Sequence, residues 1–149
     1  MRGQRILSWF SLDPFTRKEL IRHGILVFGT DFRHLISPPD RAEIVQAIQR
    51  HYEAIRTYGE ADAGWLLDTA RCLYTLKTNQ VIAKTKAGEW ALEQHLCPNP
   101  ETMEQALNIR KHPKELLNDA SVKKWLNGLK PEIQRFADVL EDALRSEIL

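Results

Sequence analysis

The sequence predicts an all-α protein: an antiparallel, up-and-down helical bundle over residues 39–149, preceded by a less regular N-terminal arm, residues 1–38. Three observations predict it. Apolar residues recur at steps of three and four through most of the chain. Prolines and other stop signals divide that period into segments of ordinary helix length. Only one short run, GILVFG at Gly24 to Gly29, has strand character. With 149 residues, 43% of them hydrophobic, the chain holds enough apolar surface for one compact core and hardly for two.

The first bundle helix spans Pro39 to Arg56, entered through the stop-and-start signal SPPD, with Ile44, Ala47, Ile48, His51, Tyr52 and Ile55 along one face. The run TYGEADAG ends it. The second runs from about Trp65 to Thr78, and Asn79 suits the left-handed conformation that closes a helix. The third covers about Thr85 to Leu96 and is broken by CPNP; the fourth, Glu101 to Lys111, is ended by Pro113. A shorter helix fits ASVKKWLNGL. The last, KPEIQRFADVLEDALRSEI, carries a continuous stripe of Ile133, Phe136, Ala137, Leu140, Ala143, Leu144 and Ile148. The connections are mostly short, which favours antiparallel neighbours. No internal repeat or low-complexity segment interrupts this pattern.

Composition narrows the function. A net charge of +1, from 21 basic and 20 acidic residues, gives no broad field of one sign, so neither nucleic acid nor a membrane surface is indicated as a partner. Any anion site must be local. Cys72 and Cys97 lack metal-ligand spacing, and no metal site is expected. Reduced cysteines, no stretch of ~20 apolar residues and no signal-like start point to the cytoplasm.

Projected on a helical wheel, Asp68, Arg71, Thr75 and Thr78 share one narrow strip of the second helix, while Trp65, Leu66, Leu67, Ala70, Cys72, Leu73, Tyr74 and Leu76 fill most of the rest. A helix so nearly apolar all round belongs at the centre of the bundle. Two readings of its strip stand side by side. Asp68 and Arg71, three apart, pair on the helix surface, or Arg71 points into a cleft and awaits an anion. Lys84 and Lys86 add a conflict, because cations in a first helical turn oppose the macrodipole, whereas the same free N–H groups and positive charge suit a phosphate. Two solvated lysines in a turn are the plainer reading.

The stretch RCLYTLKTN, Arg71 to Asn79, followed by AKTKAGEWAL, Ala83 to Leu92, resembles the hallmark of the C-terminal helical domain of the aminoglycoside adenylyltransferases that modify streptomycin and spectinomycin. That pattern reads R-x-x-Y-T-L-x-T-G, then S-K-x-x-A-x-x-W-x-L. Arg71, Tyr74, Thr75, Leu76, Thr78, Lys84 and Trp90 match it at the same spacing. Upstream, GILVFGTDFRHLI resembles the segment that leads from the family's catalytic domain into the helical one. The resemblance implies that Arg71 and Lys84 contact nucleotide phosphates. It further implies ATP with magnesium, not tightly bound and supplied by a nucleotidyltransferase domain, separate or upstream, that closes over nucleotide and drug. The family's drug-gripping acids and aromatics lie just before the central helix. Here that region offers Tyr58, Glu60, Asp62 and Trp65, a pocket for an aminoglycoside-like polycation because carboxylates attract ammonium and guanidinium groups. A solvated acidic loop is the other reading.

Three departures from the pattern matter. Ala83 replaces a capping serine, which would pass capping to Thr85 and displace Lys84 by a fraction of a turn. Asn79 replaces glycine at the helix end. The family's G-S and D-x-D elements have no counterpart here: TYGEADAG lacks the serine, lies between helices and is followed by apolar WLL. Without magnesium-binding carboxylates nothing stabilises a phosphoryl transition state, so no catalytic residue is assigned and no AMP transfer is expected of this chain alone. Other chemistries have less support: the histidines form no HExxH, the serines no G-x-S-x-G elbow, and His51 reads as a packing residue. Two functions follow from this reading. The chain is the nucleotide- and substrate-binding half of a nucleotidyltransferase, or it is an interaction or homodimerisation module derived from that family.

Overall fold

The structure, a computed structural model, describes residues 12–148, with Ile148 known by its backbone alone. Helices run α1 (Pro14–His23), α2 (Arg41–Tyr58), α3 (Gly64–Thr78), α4 (Lys84–Glu93), α5 (Pro100–Lys111), α6 (Pro113–Leu116), α7 (Ala120–Asn127) and α8 (Lys130–Ile148), with a single 3-10 turn at Arg33–Leu35 between α1 and α2. The described residues are all-helical, as expected. None of these helices is long and apolar enough to cross a membrane.

Local sequence explains the helix boundaries. Asp40 and Glu43 form a reciprocal capping box at the start of α2, each side chain accepting the other's backbone N–H. Asn99 caps α5 through the Thr102 N–H, with Pro100 in the first helical position. Asn79, at φ 56°, closes α3 in the left-handed region as foreseen. The end of α4 differs from expectation: it stops at Glu93, three residues short of Leu96. His95 adopts φ 54°, and the Leu96 N–H bonds back to Ala91 O at 3.0 Å, a Schellman-type closure completed before CPNP is reached.

The core forms around α3. Leu66, Leu67, Ala70, Cys72, Leu73 and Leu76 are buried on it, packed against α2, α4, α5 and α8. From α2 come Ile44, Ala47, Ile48 and Ile55, and from α8 Ile133, Phe136, Ala137, Leu140 and Leu144. The stripe read along the last helix is therefore its buried face, Ala143 being half-buried and the Ile148 side chain lying outside the described residues. Arg56 stitches α2 to α8 by donating to Gln134 O and Glu141, and Tyr52 donates to the same glutamate at 2.6 Å.

Two features of the arm depart from the sequence reading. It contains α1, a capped helix in which the Asp13 carboxylate accepts from the Phe15 and Thr16 N–H groups. GILVFG, read as strand-like, pairs with no strand among the described residues. A strand needs a neighbour to satisfy its backbone, and the helices offer none. Arg33 closes the ends of this stretch by donating to Gly24 O at 2.6 Å while it grips Asp31, whose carboxyl those hydrogen bonds hold down to about 2.

Candidate functional site

Asp68, one turn into α3, is only 4% exposed. Its two oxygens gather side chains from three helices. His51 on α2 donates from Nδ1 to Oδ2 at 2.7 Å, Arg71 donates from Nη2 to Oδ1 at 2.8 Å, and the Lys84 Nζ lies 3.2 Å from Oδ1. The two residues expected to meet phosphate are thus brought together, although Thr78 and Lys84 are separated by a linker. That linker runs back along α3 with Val81 buried. As a result Lys84 meets Asp68, and Trp90 meets Tyr74 edge-on at 5.2 Å between ring centroids. Tyr74 and Trp90 of the recognised pattern are packing residues that fix this alignment.

Helix α1 covers the cluster. Phe15, 2% exposed, stacks on the His51 ring at 5.1 Å and lies 5.3 Å from the Arg71 guanidinium carbon. Lys18 donates to Asn79 O and Arg22 to the Gln80 side chain, which anchors α1 to the linker that delivers Lys84.

The electrostatics leave a surplus of positive charge. Burial on its own would raise the Asp68 pKa, but the His51 hydrogen bond and the charges of His51, Lys84 and Arg71 outweigh it and hold the carboxyl well below the usual range. One carboxylate then faces two permanent cations, and a third when His51 is protonated. Roughly a third of the Lys84 and His51 side chains reaches solvent, so the surplus is accessible. The Arg71 Nε and the Thr75 Oγ1, one turn further along α3, are buried without a partner.

The start of α4 adds to this field. Ala83 provides no side-chain cap, and the helix begins at Lys84 itself. Capping does not pass to Thr85: Ala83 is the N-cap residue, and the first N–H groups of α4 are left without a side-chain acceptor. Lys86 takes no part and pairs with Glu89. The polar strip of α3 therefore divides. Asp68, Arg71 and Thr75 turn inward, while Thr78 is exposed and donates to Tyr74 O. The Asp68–Arg71 pair does form, but in the interior and shared with His51 and Lys84 rather than on the helix surface.

Sequence reasoning missed His51, which it read as packing alone. It both stacks and orients the carboxylate, and the only signal was a histidine on an apolar face with an aspartate in the next helix. Residues ahead of α3 are engaged separately. Tyr58 is exposed, Glu60 pairs with Lys130 at 3.2 Å, Asp62 accepts the Gly64 N–H at 2.7 Å to start α3, and Trp65 packs on the core.

His51, Asp68 and Cys72 place donor atoms within 4.8 Å of one another. The surroundings disfavour a metal there. Asp68 already faces two cations, and burial, reinforced by the Asp68 charge, pushes the Cys72 thiol well up, whereas a metal needs the thiolate. The Arg71 and Lys84 charges around Asp68 suit an anion better than a divalent cation.

Compared with known proteins, residues 34–143 match the family model described as aminoglycoside adenylyltransferase, C-terminal domain. No curated protein and no solved structure gives a significant match.

Proposed function

Because the chain belongs to the family of the aminoglycoside adenylyltransferase C-terminal domain, we propose that it is the nucleotide- and substrate-binding helical half of such an enzyme and does not catalyse transfer alone. The observation that carries this reading is the surplus positive charge where Arg71 and Lys84 converge on the single buried carboxylate of Asp68. A polyphosphate can take up that surplus through charge-assisted hydrogen bonds from Arg71 and Lys84, reinforced by the uncapped N–H groups of α4. Magnesium finds no free carboxylate in the cluster, so it would arrive with ATP and be held by a nucleotidyltransferase domain, in the cytoplasm where both are at hand. An aminoglycoside-like cation would meet the carboxylates of the segment between α2 and α3, Glu60 and Asp62, flanked in sequence by Tyr58 and Trp65.

Calorimetric titration with magnesium-ATP tests the reading. Arg71→Ala and Lys84→Ala should each weaken binding about tenfold or more while circular dichroism shows the helices intact. His51 remains on Asp68 in either variant. Wild-type affinity in both would overturn it.

A second reading, an interaction or dimerisation module, draws on a different observation: Ile25, Val27 and Phe28 are 87%, 92% and 96% exposed. It predicts no affinity for nucleotide and a stable complex by light scattering.

A further inference from the structure

Asp68 divides its two oxygens unevenly. Oδ1 meets both permanent cations, the Arg71 Nη2 at 2.8 Å and the Lys84 Nζ at 3.2 Å, whereas Oδ2 takes only the His51 Nδ1 at 2.7 Å. Arg71 therefore reaches the carboxylate through one nitrogen. The paired fork that an arginine makes with both oxygens of a carboxylate is the strong form of this ion pair, and His51 bars it by occupying the second oxygen. Arg71 keeps unspent donors as a result, and its Nε is buried without a partner.

His51 can also gain a proton without releasing Asp68. A carboxylate only accepts, so Nδ1 carries the hydrogen and a further proton must add at Nε2. Nε2 has no hydrogen-bond partner among the described residues, yet it is not one of the nitrogens buried without a partner. It therefore meets solvent, in a cavity that His51 shares with Asp13, Ala47, Arg50 and Ala54. The titratable and charged groups around the ring are Asp13 from α1, Arg50 from α2 itself, Asp68, Arg71 and the Cys72 thiol from α3, and Lys84 from α4. Burial would raise both aspartates, but hydrogen bonds outweigh it and hold them below the usual carboxylate range, while burial pushes the Cys72 thiol up. Near neutrality His51 is thus the group of this cluster whose charge can change.

From this geometry we infer that His51 is a positioning residue of the phosphate site: it holds Asp68 by one oxygen so that Arg71 keeps donors for phosphate, and it takes up a proton at Nε2 when the anion binds. For the identity of the anion the inference rests on the proposed function. Linkage is reciprocal. If bound phosphate favours protonated His51, protonated His51 binds phosphate more tightly, and affinity rises as the pH falls through the histidine range.

The test titrates magnesium-ATP by calorimetry into the full wild-type chain at about pH 8 and about pH 6, on either side of the usual histidine value. A repeat near neutrality in two buffers of different ionisation heat reads the protons taken up. Wild type should bind about fivefold more tightly at the lower pH and take up a fraction of a proton per nucleotide. His51→Asn places an amide donor where Nδ1 stood and does not titrate. It should match wild type at the higher pH and lack the gain, and any change it retains belongs to the nucleotide's own protonation. His51→Phe keeps a ring against Phe15 but gives Asp68 no donor, so Asp68 can take Arg71 with both oxygens and affinity should fall about tenfold at both pH values. If that variant does not fold, wild type and His51→Asn decide alone. An equal gain in wild type and His51→Asn, no proton uptake beyond that of His51→Asn, or wild-type affinity in His51→Phe would each overturn this role alone. Absence of any binding by wild type at either pH overturns the phosphate site and this role together, so the two failures are distinguishable.

Discussion

Asp68→Asn is expected to lower the melting temperature by roughly 10 °C, corresponding to about 3 kcal/mol of stability. The substitution preserves shape and removes charge, leaving the Arg71 guanidinium and the Lys84 ammonium facing each other without a counter-charge. Breaking a buried pair costs more than the pair itself contributes, because the remaining charge stays desolvated. The pH dependence identifies the cause. The Asp68 carboxyl titrates below its unfolded value of about 3.9. Its contribution is therefore full above that value and is lost as the pH falls through the depressed folded value. Chemical denaturation of wild type and variant should show a gap that is constant near neutrality and narrows below about pH 4. A gap unchanged into strong acid would mean that something other than the charge is responsible.

Phe15→Ala is expected to release α1. Phe15 is the buried anchor of that helix and contacts the core through His51 and Arg71. Truncating a buried phenylalanine costs about 3 kcal/mol or more. Because α1 packs mainly on α2, the loss should be local rather than global. Hydrogen exchange of α1 amides should accelerate about a hundredfold while α3 and α8 keep their protection. Equal acceleration throughout the bundle would show that α1 is part of the cooperative core instead.

How much of this could be read from the sequence depends on how local each signal is. The 3.6-residue stripes of α2 and α8, the Asn79 closure and the central position of α3 follow from neighbouring residues, and they appear as expected. The early end of α4 turns on His95 entering the left-handed region, which histidine rarely does and no spacing announces. Arg71 and Lys84 were recognisable from the family pattern, but their shared partner was not. Asp68 could be paired with Arg71 by its helical spacing, whereas its contacts to His51 and Lys84 depend on how three helices and a reversing linker pack. Likewise, GILVFG carries strand propensity that no neighbouring strand meets among the described residues, so its propensity and its local surroundings disagree.

Nitrogen-15 NMR of the wild-type chain titrated with magnesium-ATP gives the most direct view of the phosphate site, because the Arg71 Nε–H is buried without a partner and sits inside the cluster. If Arg71 and Lys84 bind the phosphates, the Arg71 Nε resonance and the backbone amides of Lys84, Thr85 and Lys86 shift together and saturate with one dissociation constant. If these signals stay in place while ATP is in excess, or if only resonances far from α3 and α4 respond, the cluster is a structural ion network and not a nucleotide site.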